Sequence, residues 1–278
     1  MNKIYVMSDI HGAYEQYLEM KKKINFDLTD TLYIIGDIFD RGDGTYKILS
    51  DIMASKNIHL ILGNHEYSYV QIYENMKKYE ETKDNRYKEM ADNWRNYISD
   101  PAAGGASTVE FLFNKIRKNQ REKYLEYLSN CPTDKLLVVN ERYIYLTHGS
   151  ISIYEMARVT ERMDMFPLYL LLFNKEEKLD AVACVNLLNI NKNNENSLKK
   201  ELVVMALEGW LVDPIIIFGH TPVKYYDRYN KDMKIIKAGN NINIDCGCNG
   251  FNFGKPDKDG FIGHLACLCL NTMEEYYI

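Results

Sequence analysis

Short apolar runs alternate with amphipathic segments at the start of the chain. Residues 3–8, 31–36 and 58–62 are mainly apolar, and each run leads into a polar turn. The two segments between them, 13–24 and 44–56, space their apolar side chains as a helix does. Strands that alternate with helices are typical of βαβ units, so these three strands should pair in parallel.

Two longer helical regions alternate with further strands over the rest of the chain. Residues 66–130 are charged and rich in Tyr, with helical periodicity interrupted at 100–101 and 104–105, and are predicted to form a helical layer or cap. Residues 151–212 are also predicted to be mostly helical. The other predicted strands are 136–139, 143–147, 215–218, 234–237, 242–245 and 264–270. We expect a single domain over residues 1–278, in which parallel and antiparallel strands are flanked by helices.

Composition narrows the class of protein. Of the 278 residues, 46% are hydrophobic, and 34 Lys plus Arg against 39 Asp plus Glu give a net charge of −5. This balance is normal for a globular protein and gives no reason to expect a nucleic-acid partner. The chain starts with a predicted strand instead of a signal peptide and has no run of about 18 apolar residues, so neither secretion nor membrane insertion is expected.

Six cysteines are present. In a long chain without a secretion signal we expect reduced thiols and a cytoplasmic protein. The pairs Cys246-x-Cys248 and Cys267-x-Cys269 would each place two thiols on one face of a strand. A zinc site built from these four thiols stays open as an alternative, although burial as small hydrophobic side chains is favoured.

Side chains that bind metals or catalyse reactions follow five of the predicted strands. In open α/β sheets, ligand sites form at the carboxyl ends of strands, so these side chains should converge on one crevice. They are Asp9 and His11, then Asp37, Asp40 and Arg41, then Asn64 and His65, then His148, and finally His220.

The oxygen and nitrogen donors in this set indicate a metal site. A mixture of carboxylate, amide and imidazole groups suits Mn²⁺, Fe or Zn²⁺ better than Mg²⁺ alone, which prefers oxygen. The groups are numerous enough for two ions with positions left open for water. Two such ions lie about 3.5–4 Å apart and need a bridging ligand. Asp37, which lies between the first and third motifs, is the candidate bridge.

The motifs around these residues resemble those of the phosphoprotein phosphatase family of the calcineurin-like metallophosphoesterases. The three opening motifs are the most specific, because they occur together in the family's order, and the similarity extends over about residues 4–270. The motifs are Ser8-Asp9-Ile10-His11-Gly12, residues 36–42 (GDIFDRG), Gly63-Asn64-His65-Glu66, residues 104–108 (GGAST), Thr147-His148-Gly149, Gly219-His220-Thr221-Pro222 and residues 244–247 (IDCG).

This resemblance implies an α/β (α+β) fold with a central β-sandwich of mixed sheets flanked by helices in a four-layer arrangement. It also implies two divalent metal ions, with manganese expected and iron or zinc as alternatives. The ligands it implies are Asp9, His11 and Asp37 for the first ion and Asp37, Asn64, His148 and His220 for the second.

The resemblance also implies catalytic roles. His65 would be the general acid, Asp40 would orient it and keep it charged, and Arg41 would bind phosphate oxygens. The family's second phosphate-binding Arg lies in a Trp-x-Arg sequence that this chain lacks. Lys175 is the predicted substitute, with Arg158 and Arg162 as competing candidates.

Three functions are consistent with these motifs. The leading one is hydrolysis of phosphate monoesters by direct attack of metal-activated water, most specifically by a Ser/Thr phosphoprotein phosphatase acting on phosphorylated proteins, peptides or small phosphoesters. The alternative is a symmetrical dinucleoside polyphosphate hydrolase, which shares all the motifs. The second alternative, a non-catalytic module that binds phospho-ligands, is disfavoured because such a module has no need of a general acid like His65.

Overall fold

The computed structural model of the protein describes residues 2–149, 215–239, 241–248 and 255–278. The predicted helices at 151–212 lie outside the described residues. The helices are α1 (Tyr14–Lys23), α2 (Thr45–Ala54), α3 (Asn64–Thr82), α4 (Asn85–Ser99), α5 (Ala106–Glu110) and α6 (Lys118–Ser129), with a π-helical turn at Phe111–Lys115 and a 3₁₀ turn at Val223–Tyr225. The strands are β1 (Ile4–Met7), β2 (Thr31–Ile35), β3 (Ile58–Ile61), β4 (Asp134–Val139), β5 (Arg142–Thr147), β6 (Ile215–Phe218), β7 (Ile236–Ala238), β8 (Asn241–Asn243), β9 (Ala266–Cys269) and β10 (Glu275–Tyr277).

The strands form two mixed sheets of five strands each. The first has the order β10-β9-β1-β2-β3, in which β1, β2 and β3 are parallel and β9 and β10 are antiparallel additions. The second has the order β4-β5-β6-β8-β7, with a parallel centre from β5 to β8 and an antiparallel strand at each edge. The predicted combination of parallel and antiparallel pairing is confirmed, and β10 is a strand that the apolar pattern did not reveal.

Alternate side chains of β1 enter two different hydrophobic clusters. Val6 packs between the sheets with Ile35 of β2 and Leu146 of β5. Tyr5 and Met7 point to the other face and pack with the helices. Because both faces of β1 are buried at Tyr5, Val6 and Met7, this strand is a continuous apolar run without polar alternation. Each fully buried aliphatic side chain contributes roughly 1.5–3 kcal/mol, so the two clusters fix the register of this sheet.

Helices cover the outer face of the first sheet. Tyr17 of α1, Ile48 of α2, Tyr69 of α3 and Leu125 of α6 are all buried in the cluster on that face. The run from α3 to α6 occupies the segment 66–130, where a helical layer or cap is predicted. Within the described part of the chain, no helix has both the length and the hydrophobicity needed to cross a bilayer.

The predicted break at 100–101 is the end of α4. Asp100 has an extended ψ of 138°, because the residue before a proline is pushed away from the helical region. Its Oδ1 accepts the backbone N–H of Ala102 at 2.8 Å. The chain then turns through Gly104, at a φ of +78°, before α5 begins at Ala106. This turn, residues 100–105, becomes one wall of the site described below.

The four cysteines near the end of the chain are free and buried. Cys248, Cys267 and Cys269 lie in the cluster under the helices, whereas Cys246 lies in the cluster between the sheets. Cys246 and Cys248 thus belong to different clusters, contrary to the one-face prediction, because the backbone turns at Gly247, where φ is +76°. Among the described residues no cysteine belongs to a group that could hold a metal ion.

Candidate metal centre

The predicted site residues lie in loops that directly follow β1, β2, β5 and β6 or, after β3, in the first turn of α3. Backbone hydrogen bonds tie the loops to each other, for example from His11 N–H to the Asp37 carbonyl at 2.8 Å and from Gly219 N–H to the His148 carbonyl at 2.8 Å. The five strand ends therefore meet at one edge of the sandwich, as expected from the parallel pairing.

The loops are held in an uncommon backbone conformation. Of the twelve described non-glycine residues with positive φ, half are predicted site residues. A non-glycine residue in this region costs of order 1–3 kcal/mol and persists only where its surroundings impose it. The six are Asp9 (φ 50°), His11 (44°), Asp37 (53°), Asp40 (69°), Arg41 (63°) and His220 (69°).

Asp37 is at the centre of the site and is 2% exposed. Its Oδ2 lies 3.3 Å from Nε2 of His148, 3.6 Å from Nε2 of His65 and 3.8 Å from Nε2 of His11. Burial alone would raise the pKa of Asp37, but the neighbouring His148 and His65 outweigh it and hold this pKa well below its usual value. A buried, ionised carboxylate surrounded by imidazoles is an arrangement that suits a bridging metal ligand.

Two groups of side chains that could each hold a metal ion share Asp37. One consists of His11, Asp37 and His65, and the other of Asp37, His148 and His220. Within each group the ligand atoms lie within 4.8 Å of one another. The Asp37 carboxylate can therefore contribute a ligand atom to each of two neighbouring metal positions.

Asn64 completes the second group. Its Oδ1 lies 3.0 Å from Nε2 of His148 and 3.0 Å from Nδ1 of His220, and these two nitrogens are 3.2 Å apart. Ligands bonded to one Zn²⁺ at about 2.0–2.2 Å are separated from each other by about 3.0–3.5 Å. The amide oxygen and both imidazoles thus have the spacing of ligands around a single cation.

The backbone fixes the orientation of two of the imidazoles. Nδ1 of His148 lies 2.9 Å from the carbonyl oxygen of Ile35, and Nδ1 of His11 lies 2.7 Å from that of Phe39. Since a carbonyl only accepts, each Nδ1 donates its proton there and each Nε2 is directed towards Asp37. Metal-binding histidines usually have such a partner for the other ring nitrogen.

The electrostatics of the centre favour positive charge beside Asp37. Burial alone would lower the pKa of His148, but the carboxylates of Asp37 and Asp9 raise it to about 10. His11 behaves differently, since burial lowers its pKa to about 3 and keeps it neutral. A divalent cation would supply the positive charge in place of a proton on His148. The donor types, their spacing and this charge all fit a pair of divalent cations.

Asp9 lies beside this arrangement. It is buried, it accepts a very short hydrogen bond from the Ser8 hydroxyl, and its Oδ2 accepts the backbone N–H of His220 at 3.0 Å. Of the described residues, the two candidate groups include His65 and do not include Asp9. Burial raises the pKa of Asp9 to about 6. Its position near Asp37 and His148 agrees with the prediction, and its role as a ligand stays a prediction.

His65 is part of a chain of three hydrogen-bonded side chains. Its Nδ1 lies 2.6 Å from Oδ2 of Asp40, whose Oδ1 accepts the Tyr69 hydroxyl at 2.6 Å. Burial alone would lower the pKa of His65, but the carboxylates of Asp37 and Asp40 raise it to about 9. The predicted pairing of Asp40 with His65 is confirmed as a contact. The contribution of Tyr69 was not predicted, although its position four residues after His65 on one helix face was a usable signal.

Replacing Tyr69 by Phe should lower kcat about tenfold, because a hydrogen bond to a charged group contributes roughly 1.5–3 kcal/mol and this one holds Asp40 against His65. Steady-state kinetics measure the change, and the melting temperature checks that the fold is intact. Tyr73→Phe, one turn further along α3, is the matched control. Equal kcat values for the two variants would show that the Asp40 carboxylate needs no support from Tyr69.

Glu66 is a second residue whose role sequence reasoning missed. Its fully buried carboxylate accepts four backbone N–H groups, those of Asp37 (2.8 Å), Ile38 (2.9 Å), Phe39 (3.0 Å) and Gly63 (3.0 Å). It thereby joins the loop after β2 to the start of α3. A glutamate three residues after the residue that precedes a helix is a known capping pattern and was the available signal.

Gly63 allows these two loops to approach each other. A Cβ at this position would overlap the Asp37 carboxylate and lie 2.6 Å from the Asp37 backbone nitrogen. A side chain at Gly63 would therefore displace the central residue of the site. Glycine is required here for space, since its φ of −92° is open to any residue.

A cavity of about 490 Å³ opens in front of the centre. Some of the lining residues were predicted, including Arg41, which is exposed. The others come from the end of α4 and from the turn at 100–105, and they were not predicted. The predicted lining residues are Asp37, Arg41, Asn64, His65 and His220, and the others are Asn96, Tyr97, Asp100, Ala102 and Ala103.

Three predicted phosphate-binding candidates, Lys175, Arg158 and Arg162, lie outside the described residues. The choice among them stays a prediction.

Comparisons with known proteins agree with this geometry. The family model described as calcineurin-like phosphoesterase matches residues 2–244. A symmetrical bis(5'-nucleosyl)-tetraphosphatase from Wigglesworthia glossinidia brevipalpis is 40% identical over 79 residues, 28% of this chain and 29% of that protein. The same enzyme from Buchnera aphidicola subsp. Schizaphis graminum (strain Sg) is 38% identical over 89 residues, 31% of this chain and 32% of that protein. The chain thus matches about three tenths of the length of these curated relatives.

A solved structure supports the fold. The crystal structure of a protein provisionally identified as a diadenosine tetraphosphatase superposes with a TM-score of 0.50 at 13% identity, over 100% of this chain and 93% of that one. At this low identity the likeness concerns the fold alone.

Proposed function

This chain belongs to the calcineurin-like phosphoesterase family and is a phosphoric ester hydrolase, and we propose that its substrate is a dinucleoside tetraphosphate, cleaved symmetrically into two nucleoside diphosphates. The observation that carries the hydrolytic chemistry is the sharing of Asp37 between two groups of metal-binding side chains. The substrate class is supported by the curated relatives, which are symmetrical tetraphosphatases.

The Ser/Thr phosphoprotein phosphatase activity, which was the leading hypothesis from the sequence, has less support than the tetraphosphatase alternative. The motifs are common to both activities, so they do not choose between them. The relatives named above share the tetraphosphatase name. Hydrolysis of phosphoproteins is therefore one possible result of the test below and is not part of the proposal.

The proposed metal ligands are those that the family resemblance implies. Asp9, His11 and Asp37 would hold one divalent cation, and Asp37, Asn64, His148 and His220 would hold the other, with manganese expected and iron or zinc as alternatives. When bound, such a pair supplies an activated water molecule and neutralises negative charge on the phosphates.

The residues of the chain supply the other parts of the reaction. Arg41 faces the cavity next to Asn64 and His65, and its planar guanidinium can bind two phosphate oxygens at once. It would hold a central phosphate so that water attacks the phosphorus from the side opposite the leaving oxygen. No residue of the chain needs to accept the phosphoryl group, so a phosphoenzyme is not expected.

His65 would supply the proton that the leaving group needs. Its imidazole is held through Nδ1 by Asp40 and presents Nε2 to the centre, 3.6 Å from Oδ2 of Asp37. As the bond between the two central phosphates breaks, Nε2–H would protonate the oxygen of the departing nucleoside diphosphate. One water is consumed and two nucleoside diphosphates are formed.

The test is a product analysis with the purified full chain loaded with Mn²⁺. Diadenosine tetraphosphate should give ADP as the only nucleotide product, with a kcat/KM at least ten times that for a phosphoserine peptide. Anion-exchange chromatography separates ADP from the ATP and AMP that asymmetric cleavage would give. Preference for the phosphopeptide would favour the protein phosphatase instead, and hydrolysis of neither would favour a binding module.

A further inference from the structure

The outer wall of the active-site cavity carries an exposed aromatic ring. Tyr97, near the end of α4, is 51% exposed and lines the cavity that also contains Arg41, Asn64 and His65. Large aromatic side chains usually bury their area, and one left open inside a cleft offers a flat apolar surface to whatever occupies the cleft. The Tyr97 ring is therefore available to a ligand in this cavity.

The ring of Tyr97 is held in place by other aromatic rings. It packs edge-on against Trp94, with centroids 5.9 Å apart and planes at 89°. Trp94 packs in the same manner against Tyr67, with centroids 5.7 Å apart and planes at 80°. Tyr67 lies in the first turns of α3, three residues after Asn64. A row of edge-to-face contacts thus connects α3 to Tyr97 and restrains the Tyr97 ring.

The backbone of this wall is also tied to the catalytic loop. The Gly104 carbonyl accepts the N–H of Arg41 at 3.4 Å, and the Gly105 carbonyl lies 3.3 Å from the hydroxyl of Tyr69, which holds Asp40. Gly105 N–H donates in turn to the Ile98 carbonyl, next to Tyr97, at 2.9 Å. The wall is therefore positioned relative to Arg41 and Asp40 before any ligand binds.

The groups that line the cavity differ in charge. Arg41 and His65 attract phosphate, while Asp100 repels it. Asn96, beside Tyr97, adds an amide that can both donate and accept hydrogen bonds. A ligand with an anionic half and a flat, polar-edged half would match this division, and the volume of about 490 Å³ lies in the range of small-molecule sites.

We propose that Tyr97 is the stacking surface for a nucleobase of the substrate, and that it determines specificity for nucleotides over simple phosphoesters. The proposal rests on the proposed function and names the part of the same cavity that would recognise the nucleoside. An aromatic ring can stack on any base, because every base has a flat π-face. Both purine and pyrimidine nucleotides should therefore bind, with the larger purines favoured.

The experiment measures binding of two probes to the metal-loaded full chain by calorimetry. ADP carries a base and pyrophosphate does not. Tyr97→Ala should weaken ADP binding about 5- to 150-fold, the factor that corresponds to the stacking of one base, and should leave pyrophosphate binding unchanged. Tyr97→Phe, which keeps the flat ring, should bind ADP as the wild type does. Tyr229→Ala is the control, because Tyr229 is 75% exposed and does not line the cavity.

The outcomes separate this inference from the proposed function. Equal ADP affinity in the wild type and Tyr97→Ala overturns the stacking role, even if diadenosine tetraphosphate is cleaved to ADP. Parallel loss of ADP and pyrophosphate binding also overturns it, since the substitution would then have disturbed the phosphate side. If Tyr97→Ala selectively loses ADP binding but the wild type hydrolyses only phosphopeptides, the nucleobase site is supported and the tetraphosphatase activity is refuted.

Discussion

Replacing Asp37 by Asn should lower kcat by about 10³-fold or more and should strongly reduce the metal content of the purified protein. Asp37 is the one carboxylate common to both candidate groups of ligands, and three histidine nitrogens lie within 3.8 Å of its Oδ2. The amide of Asn is uncharged and can offer only one oxygen. Metal-ion catalysis contributes several kcal/mol, and about 1.4 kcal/mol corresponds to a tenfold change in rate.

The measurements for Asp37→Asn are steady-state kinetics and the number of metal ions per chain, determined by mass spectrometry after loading with Mn²⁺. Asp43→Asn is the matched control, because Asp43 is an exposed carboxylate of the same loop. A variant that keeps two ions per chain and stays within tenfold of the wild-type kcat would remove Asp37 from the centre.

Replacing His65 by Asn should lower kcat by about 10²–10⁴-fold without changing the number of bound metal ions. The range is that expected for loss of a general acid. The contact with Asp40 on one ring nitrogen and the 3.6 Å approach to Asp37 on the other are consistent with either an acid or a ligand. Metal content decides between the two roles, and loss of one ion per chain would make His65 a ligand.

The leaving group provides a second readout for His65. A leaving group of low pKa departs without a proton, so the loss of activity should be much smaller for p-nitrophenyl phosphate than for a substrate with a poor leaving group. His59→Asn is the control, since His59 is exposed on β3 and outside the cavity. Equal losses on both substrates would argue against proton donation by His65.

Much of the secondary structure was predictable because β1, β2 and β3 are mainly apolar. These strands stand out from the helices between them, and each begins and ends within one or two residues of the predicted bounds. β10 is the exception. Its residues Glu275–Tyr277 are only half-buried, and their pairing with β9 lies at the edge of the sheet, where no apolar run marks it.

The candidate metal ligands were predictable for a related reason. Parallel strands place their carboxyl ends at one edge of a sheet, so the polar residues after β1, β2, β3, β5 and β6 were expected to converge. The supporting residues were not predictable in the same way. Glu66 acts on backbone groups 27–29 residues earlier in the chain, and Tyr69 on Asp40, 29 residues earlier. Contacts of this kind leave no periodic pattern in a sequence.

The cavity wall was missed because nothing in its sequence has an evident chemical role. Asn96, Tyr97 and Asp100 look like the exposed end of a charged helix and a proline-induced turn. Only the tertiary fold brings them into the same cavity as Arg41 and His65.

The most direct measurement is a crystal structure of the Mn²⁺-loaded protein with anomalous diffraction data. Two anomalous peaks are expected, about 3.5–4 Å apart, both bonded to the carboxylate of Asp37, with Asn64, His148 and His220 around one of them. A single peak, or two peaks of which neither contacts Asp37, would contradict a shared two-metal centre.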